Sequence, residues 1–145
     1  MSFKIYKSNK TYNFSAKCVD DKQVHIVISS NKECKDCLKF FADGYKALLS
    51  FIREHNIYIL HERIFGGNSY YGAVKDIRSA VLNDYKLENL PFTYIEGNPY
   101  WGEGIAGLNI YGVILDKKSS LQTVKYDSKD YGRIWQCDNE QYLVL

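Results

Sequence analysis

The sequence predicts an α+β fold: a mixed β-sheet with two helices packed on one face. Three observations carry this. Residues 23–29 alternate, with Val24, Ile26 and Ile28 on one side and Gln23, His25, Val27 and Ser29 on the other. That is the period of a half-buried strand. Leu38, Phe41, Tyr45, Leu48, Leu49 and Ile52 recur at three- and four-residue spacing, which makes one apolar helical stripe. The alternation returns in residues 92–96 and 108–114, where Leu108, Ile110, Gly112 and Ile114 oppose Asn109, Tyr111 and Val113.

The elements follow in order. Residues 3–6 and 12–19 read as strands, and Asp20-Asp21-Lys22 as the turn of a hairpin that includes residues 23–29. Cys34-Lys-Asp-Cys37 lies in a polar connection before the first helix. Gly44 inside that helix costs about 1 kcal/mol relative to Ala and suits close packing on a sheet. His55-Asn56 ends it, and residues 57–65 form a strand. Gly66-Gly67-Asn68-Ser69 turns the chain, with Asn68 or Ser69 as the N-cap of a second helix over 70–86. Ala73, Val74, Ile77, Val81 and Tyr85 form its inner side. After residues 92–96 and 108–114, the run 117–120 breaks the pattern. Residues 121–126 and 141–145 are further strands, with Gly132-Arg-Ile-Trp135 between them. The expectation is one domain over residues 1–145, with a β-rich C-terminal extension from about 117. Val24, Ile26, Ile28, Leu48, Ile52, Val74, Ile77, Val81 and Ile110 are its core.

Composition narrows the function classes. A net charge of +2 is too small to imply nucleic-acid or membrane binding. No run is long and apolar enough to span a bilayer, and the first residues lack the apolar stretch of a signal peptide. A cytoplasmic protein with four reduced cysteines is the expectation. Its 13 tyrosines, each with an apolar body and a polar tip, suit interfaces and half-buried clefts.

Several motifs carry two readings each. Gly102-Glu-Gly104-Ile-Ala-Gly107 spells G-x-G-x-x-G, but a strand-like run follows it where a dinucleotide site needs a helix, so a flexible turn entering a strand is preferred. Cys34-x-x-Cys37 could be half a zinc site, completed by Cys18, Cys137 or His25, or a redox pair. The preferred reading is two reduced thiols near a helix start, with no metal and no cofactor. The Gly66–Ser69 turn could hold an anion or simply cap a helix. Arg63 and His61 fall on one side of a strand with Ile59 and Phe65. An arginine there needs a partner. Glu96 or Glu103 could provide it, or Arg63 could hold a ligand carboxylate. Glu96 and Glu103 beside Trp101 are candidates for proton transfer, or else solvated side chains around a tryptophan plug. Tyr94, Trp101, Asn109 and Tyr111 join Arg63 as candidate ligand-binding residues.

The face opposite the helices carries His25, Val27, Asn109, Tyr111 and Val113, with Tyr94 near. That mixture predicts a subunit interface or a ligand cleft.

The order of elements over residues 24–114 resembles the Rid (YjgF-like) superfamily, which has the chorismate-mutase-like fold. Tyr94-Ile-Glu-Gly97, Trp101-Gly-Glu-Gly104 and Ala106-Gly-Leu-Asn-Ile-Tyr-Gly112 are most similar to the N-terminal half of chorismatase-like proteins, as is the ending Gly132-Arg-Ile-Trp135 with Gln141-Tyr-Leu-Val-Leu145. The resemblance implies a homotrimer, or pairing with a second Rid-like chain, around clefts that take a small carboxylate-bearing ligand. Two departures matter. Rid deaminases hold the substrate carboxylate with an arginine after the proline, and here Pro91-Phe92-Thr93 has none. Their last core strand carries a glutamate, and the matching positions here are Asn109 and Tyr111. Neither Phe nor Thr replaces a bidentate guanidinium. The expected function is therefore a divergent small-molecule-binding protein without standard imine deaminase activity. The alternatives are an enzyme on an imine, enamine or chorismate-like acid, or a structural domain that pairs with a catalytic Rid-like chain.

Overall fold

The computed structural model describes residues 2–145. Strands β1 (Lys4–Ser8), β2 (Tyr12–Val19) and β3 (Gln23–Ser30) form an antiparallel meander. Then come helix α1 (Cys37–Glu54), strand β4 (Ile57–Gly66), a short 3-10 turn (Asn68–Tyr70) and helix α2 (Tyr71–Asp84). Strands β5 (Thr93–Glu96) and β6 (Ile105–Ile114) complete a six-stranded sheet in the order β1-β2-β3-β6-β4-β5. Every pair is antiparallel except β4 with β5, so the sheet is mixed. A separate antiparallel meander of β7 (Ser119–Tyr126), β8 (Lys129–Cys137) and β9 (Glu140–Val144) follows. The run Gly132-Arg-Ile-Trp135, expected between the two C-terminal strands and given no element of its own, lies within β8. Among the described residues, no helix is long and apolar enough to cross a membrane.

The expected core residues all lie between the sheet and the two helices. Val24, Ile26, Ile28, Leu48, Ile52, Val74, Val81 and Ile110 are buried there, and Ile77 packs at the margin. Gly44 earns its place in α1: a Cβ there would sit 3.2 Å from Ile28 Cγ2, tight for a helix resting on β3. Asp36 caps α1 by accepting a hydrogen bond from the Lys39 amide at 3.0 Å. At the second helix the expected caps are not used. Gly67 precedes the 3-10 turn and Tyr70 precedes α2, and neither Asn68 nor Ser69 makes a side-chain cap. The reason is local: the chain enters α2 through a tighter turn, which absorbs Asn68 and Ser69 into helical backbone.

Two bulges reset the strand faces. In β4, Ile59 pairs with Gly112 and His61 with Tyr111, which leaves Leu60 as an extra residue. Ile59 therefore packs against the helix-side core, while Leu60, His61 and Arg63 lie on the other side. The expectation that Ile59 shares a face with His61 and Arg63 fails for this reason. Simple alternation cannot see an inserted residue.

The face away from the helices is not uniform. At one end, Val113 is fully buried with Leu60 beneath Trp135 and Cys137 of β8. Val113 was expected on an intersubunit surface; instead the chain's own C-terminal meander covers it. Burying apolar area within the chain satisfies that patch without a second subunit. Lys22 helps to hold the meander there, with Nζ 3.0 Å from an Asp138 carboxylate oxygen. The rest of this face is open.

Candidate functional site

Strand register sets out the open face in rows. One runs Lys4, Lys17, His25, Tyr111, His61 across five strands, and the next runs Tyr6, Ser15, Val27, Asn109, Arg63, Thr93 across six. Opposed residues in a sheet share a face, so these side chains form one surface. Neither row contains a carboxylate. The surface carries two lysines, an arginine and two imidazoles.

A concavity of about 390 Å³ opens at its centre, lined by His25, Val27, His61, Arg63, Asn109 and Tyr111, with Val144 from β9 closing one side. The His25 ring stacks on Tyr111 at 5.1 Å and 24°. The Tyr111 hydroxyl donates to Gln23 Oε1 at 3.1 Å, and His61 Nε2 lies 3.0 Å from Thr93 Oγ1. These contacts fix the walls. Arg63 is exposed, and none of the ion pairs or side-chain hydrogen bonds among the described residues includes it. Its five donors form a planar fork suited to a carboxylate. Burial, and then the nearby Arg63 charge, push the His61 pKa below its ordinary value, while Glu62 opposes them weakly. Burial raises the Tyr111 hydroxyl. Near neutral pH the site thus offers one fixed cation in Arg63, the Asn109 amide, and His61 and Tyr111 held toward their neutral forms.

The structure brings Arg63, Asn109 and Tyr111 together and places the other candidates elsewhere. Tyr94 is not near this face. It sits beside Ile64 in the parallel β4–β5 register, and Ile64 belongs to the helix-side core. Its hydroxyl donates to the Gly67 carbonyl at 2.7 Å, and its ring meets Tyr71 edge-on at 5.2 Å. Glu96 and Glu103 are exposed and do not line the Arg63 concavity. Trp101 is 41% exposed and stands edge-on to Tyr100 at 4.7 Å on the loop between β5 and β6. It borders a separate, shallow groove with Asn13, Ser29, Ser30 and Asn98.

The remaining motifs resolve locally. Gly104 leads straight into β6, so the G-x-G-x-x-G run enters a strand. A Cβ on Gly107 would run into the Ile28 carbonyl oxygen, which explains that glycine by strand packing. At the Gly66–Ser69 turn, the Gly67 amide donates to the Gly104 carbonyl at 2.8 Å. Cys34 Sγ donates to the Asp36 carbonyl, and Cys37 opens α1. Cys18 is buried in the helix-side core, whereas Cys137 lies under the C-terminal meander. Among the described residues, no group of three or more His, Cys, Asp and Glu is placed to hold a metal ion.

A second polar constellation escaped the sequence reading. Glu62 is 1% exposed and Arg78 3%, and they meet inside the helix-side core. Arg78 Nε donates to Glu62 Oε1 at 3.1 Å and Nη2 to Oε2 at 3.0 Å. Arg78 also donates to Asn89 Oδ1 and the Leu90 carbonyl, and Tyr45 donates to Glu62 at 3.2 Å. Burial and the Glu62 charge hold the Tyr45 hydroxyl well above its ordinary pKa. A signal existed. Counting back from Ile64 turns Glu62 inward, and Arg78 falls four residues after Val74 on the inner stripe of α2.

The chain matches no protein-family model, and a search of curated proteins finds no match.

Proposed function

We propose that this chain is a divergent Rid- or chorismatase-like protein that binds a small carboxylate-bearing molecule on the open face of its main sheet. The observation that carries this reading is Arg63: an exposed guanidinium without an ion pair among the described residues, in a concavity with Asn109, His61 and Tyr111 and with no carboxylate in either neighbouring row. A free fork on a surface of one sign favours an anion. The departures at Pro91-Phe92-Thr93 and Asn109 argue against standard imine deaminase chemistry. Neither Glu96 nor Glu103 lines the concavity to supply a proton-transfer group there.

The open face also supports association. Val27 is 47% exposed at its centre, and Tyr6 is 71% exposed toward its edge. A homotrimer or a Rid-like partner chain would cover these residues and turn the concavity into a closed cleft. The test is calorimetric titration with a panel of 2-keto and aromatic carboxylates, each paired with its neutral amide, alongside light scattering. Binding of a carboxylate but not its amide, lost in Arg63→Ala, supports the reading. Equal behaviour of acid and amide, or a wild-type monomer at high concentration that binds neither, removes it. A coupled imine-hydrolysis assay should give negligible turnover.

A further inference from the structure

The loop between β5 and β6 borders a groove of about 650 Å³, separate from the Arg63 concavity. Small-molecule clefts measure about 300–1,000 Å³. Its lining combines two aromatic rings, Tyr100 and Trp101, with Ser29, Asn31, Asn98 and a single cation, Lys32; no carboxylate lines it. A tight turn presents the rings. The Gly102 amide donates to the Pro99 carbonyl at 3.1 Å, so Tyr100 and Trp101 hold the two central positions of a four-residue turn. Tyr100 is 86% exposed and Trp101 41%, so neither is a plug. They stand edge-on at 84°, and each ring keeps at least one face that the other does not cover. The amides beside them are pinned by one end. Asn98 Oδ1 accepts from the Gly104 amide at 3.2 Å, and a Cβ on Gly67 would lie 2.7 Å from that oxygen. Asn31 is held through the Asn9 carbonyl and the Glu33 amide. Asn98, Trp101 and Lys32 are exposed. Among the described residues, the Asn98 amide nitrogen, the Trp101 indole N–H and the Lys32 ammonium have no hydrogen-bond or ion-pair partner.

We propose that this groove binds a neutral carbohydrate, a pyranose that lays its C–H face on the Tyr100–Trp101 pair and hydrogen-bonds through its hydroxyls to Asn98 and the neighbouring polar side chains. Three points fix the ligand class. The face of an aromatic ring is its negative side and attracts the weakly positive hydrogens of C–H bonds, which a pyranose gathers on one face. A hydroxyl both donates and accepts, so a ring of hydroxyls matches a mixed lining: Asn98 offers free N–H groups, and the oxygens of Ser29 and Asn31 keep accepting capacity. Charge selects against ions. Without a carboxylate the groove does not choose a cation, and one exposed lysine holds an anion only weakly. Amides already fixed at one end lose little freedom on binding, which favours a ligand held by many weak contacts.

The test titrates cellobiose, maltose and N,N′-diacetylchitobiose into the full chain while NMR follows the Trp101 indole N–H and the Asn98 side-chain amide. Adenosine, which stacks without a C–H face, and glucuronate, which adds a charge, are the controls. The expected result is a saturable shift of both signals with at least one disaccharide, at concentrations where neither control produces one. Trp101 is exposed and belongs to neither core cluster, so Trp101→Ala should fold as the wild type does. It should weaken disaccharide binding by about tenfold or more. Arg63→Ala should leave that binding unchanged, which separates this groove from the carboxylate site. No saturable response to any of the three disaccharides, a control that binds as tightly as they do, or binding that survives in Trp101→Ala overturns the proposal.

Discussion

Two arginines lie on opposite sides of one sheet and are used differently. Arg78, on the helix side, spends its donors on Glu62, Asn89 and the Leu90 carbonyl. Its guanidinium also rests over the Phe92 ring at 4.5 Å. Arg63, on the open side, stands beside neutral groups with no ion pair among the described residues. The first fixes the segment that leads into β5. The second leaves its fork free for something that arrives. An arginine whose donors are consumed inside the fold serves structure, whereas one whose donors are free in a concavity keeps them available to a ligand.

The sharpest way to break this contrast is on the helix side. Glu62→Ala leaves Arg78 buried without its carboxylate, and stability should fall by about 3–5 kcal/mol. Chemical denaturation measures this; a loss well under 1 kcal/mol would mean that the network is solvated. Val113→Asp should cost a similar amount, on the order of 3–5 kcal/mol, because it places an unpaired charge under Trp135. Here the distinction is between unfolding and dissociation. A stable variant whose mass drops from oligomer to monomer would return Val113 to an intersubunit surface.

Smaller effects belong to the open face. Arg63→Ala removes no ion pair and should stay within about 0.5 kcal/mol of wild type, while carboxylate binding is lost. A large stability loss would instead make Arg63 a structural partner. The smallest effect concerns pH. His61 has a folded pKa below its unfolded value, so the folded state favours the neutral ring. That contribution is fully present above the unfolded value of about 6.5 and is lost as pH falls through the folded pKa. A modest stability decline below pH of about 6.5 should therefore be weaker in His61→Gln. Identical pH profiles for the two proteins would show that the environment of His61 does not shift it.

Much of the architecture was legible because it rests on periodicity. The stripe from Leu38 to Ile52 could bury itself only as one helix face, and the alternation of Val24, Ile26 and Ile28 only as one strand face. Part of the site was legible for the same reason. Asn109 and Tyr111 point away from Leu108 and Ile110 by parity alone, and Arg63 joins them as β4 pairs with β6. The Glu62–Arg78 pair was harder to read, because a charge on an inner face is worth burying only if its partner arrives from another element. That partner lies 16 residues away.

What the sequence determined by itself was local: which runs are strands or helices, which residues alternate inward, and that no arginine follows Pro91. Tertiary structure decided three further things. The extra residue at Leu60 turned Ile59 and His61 to opposite faces. The parallel register of β5 put Tyr94 with the helices, away from Arg63. The C-terminal meander covered Val113 and brought Arg133 against Glu88. Each depends on pairing between segments far apart in the chain. A side chain's own neighbours encode its period along a strand, but which surface that strand meets is set only when the whole chain buries its apolar area at once.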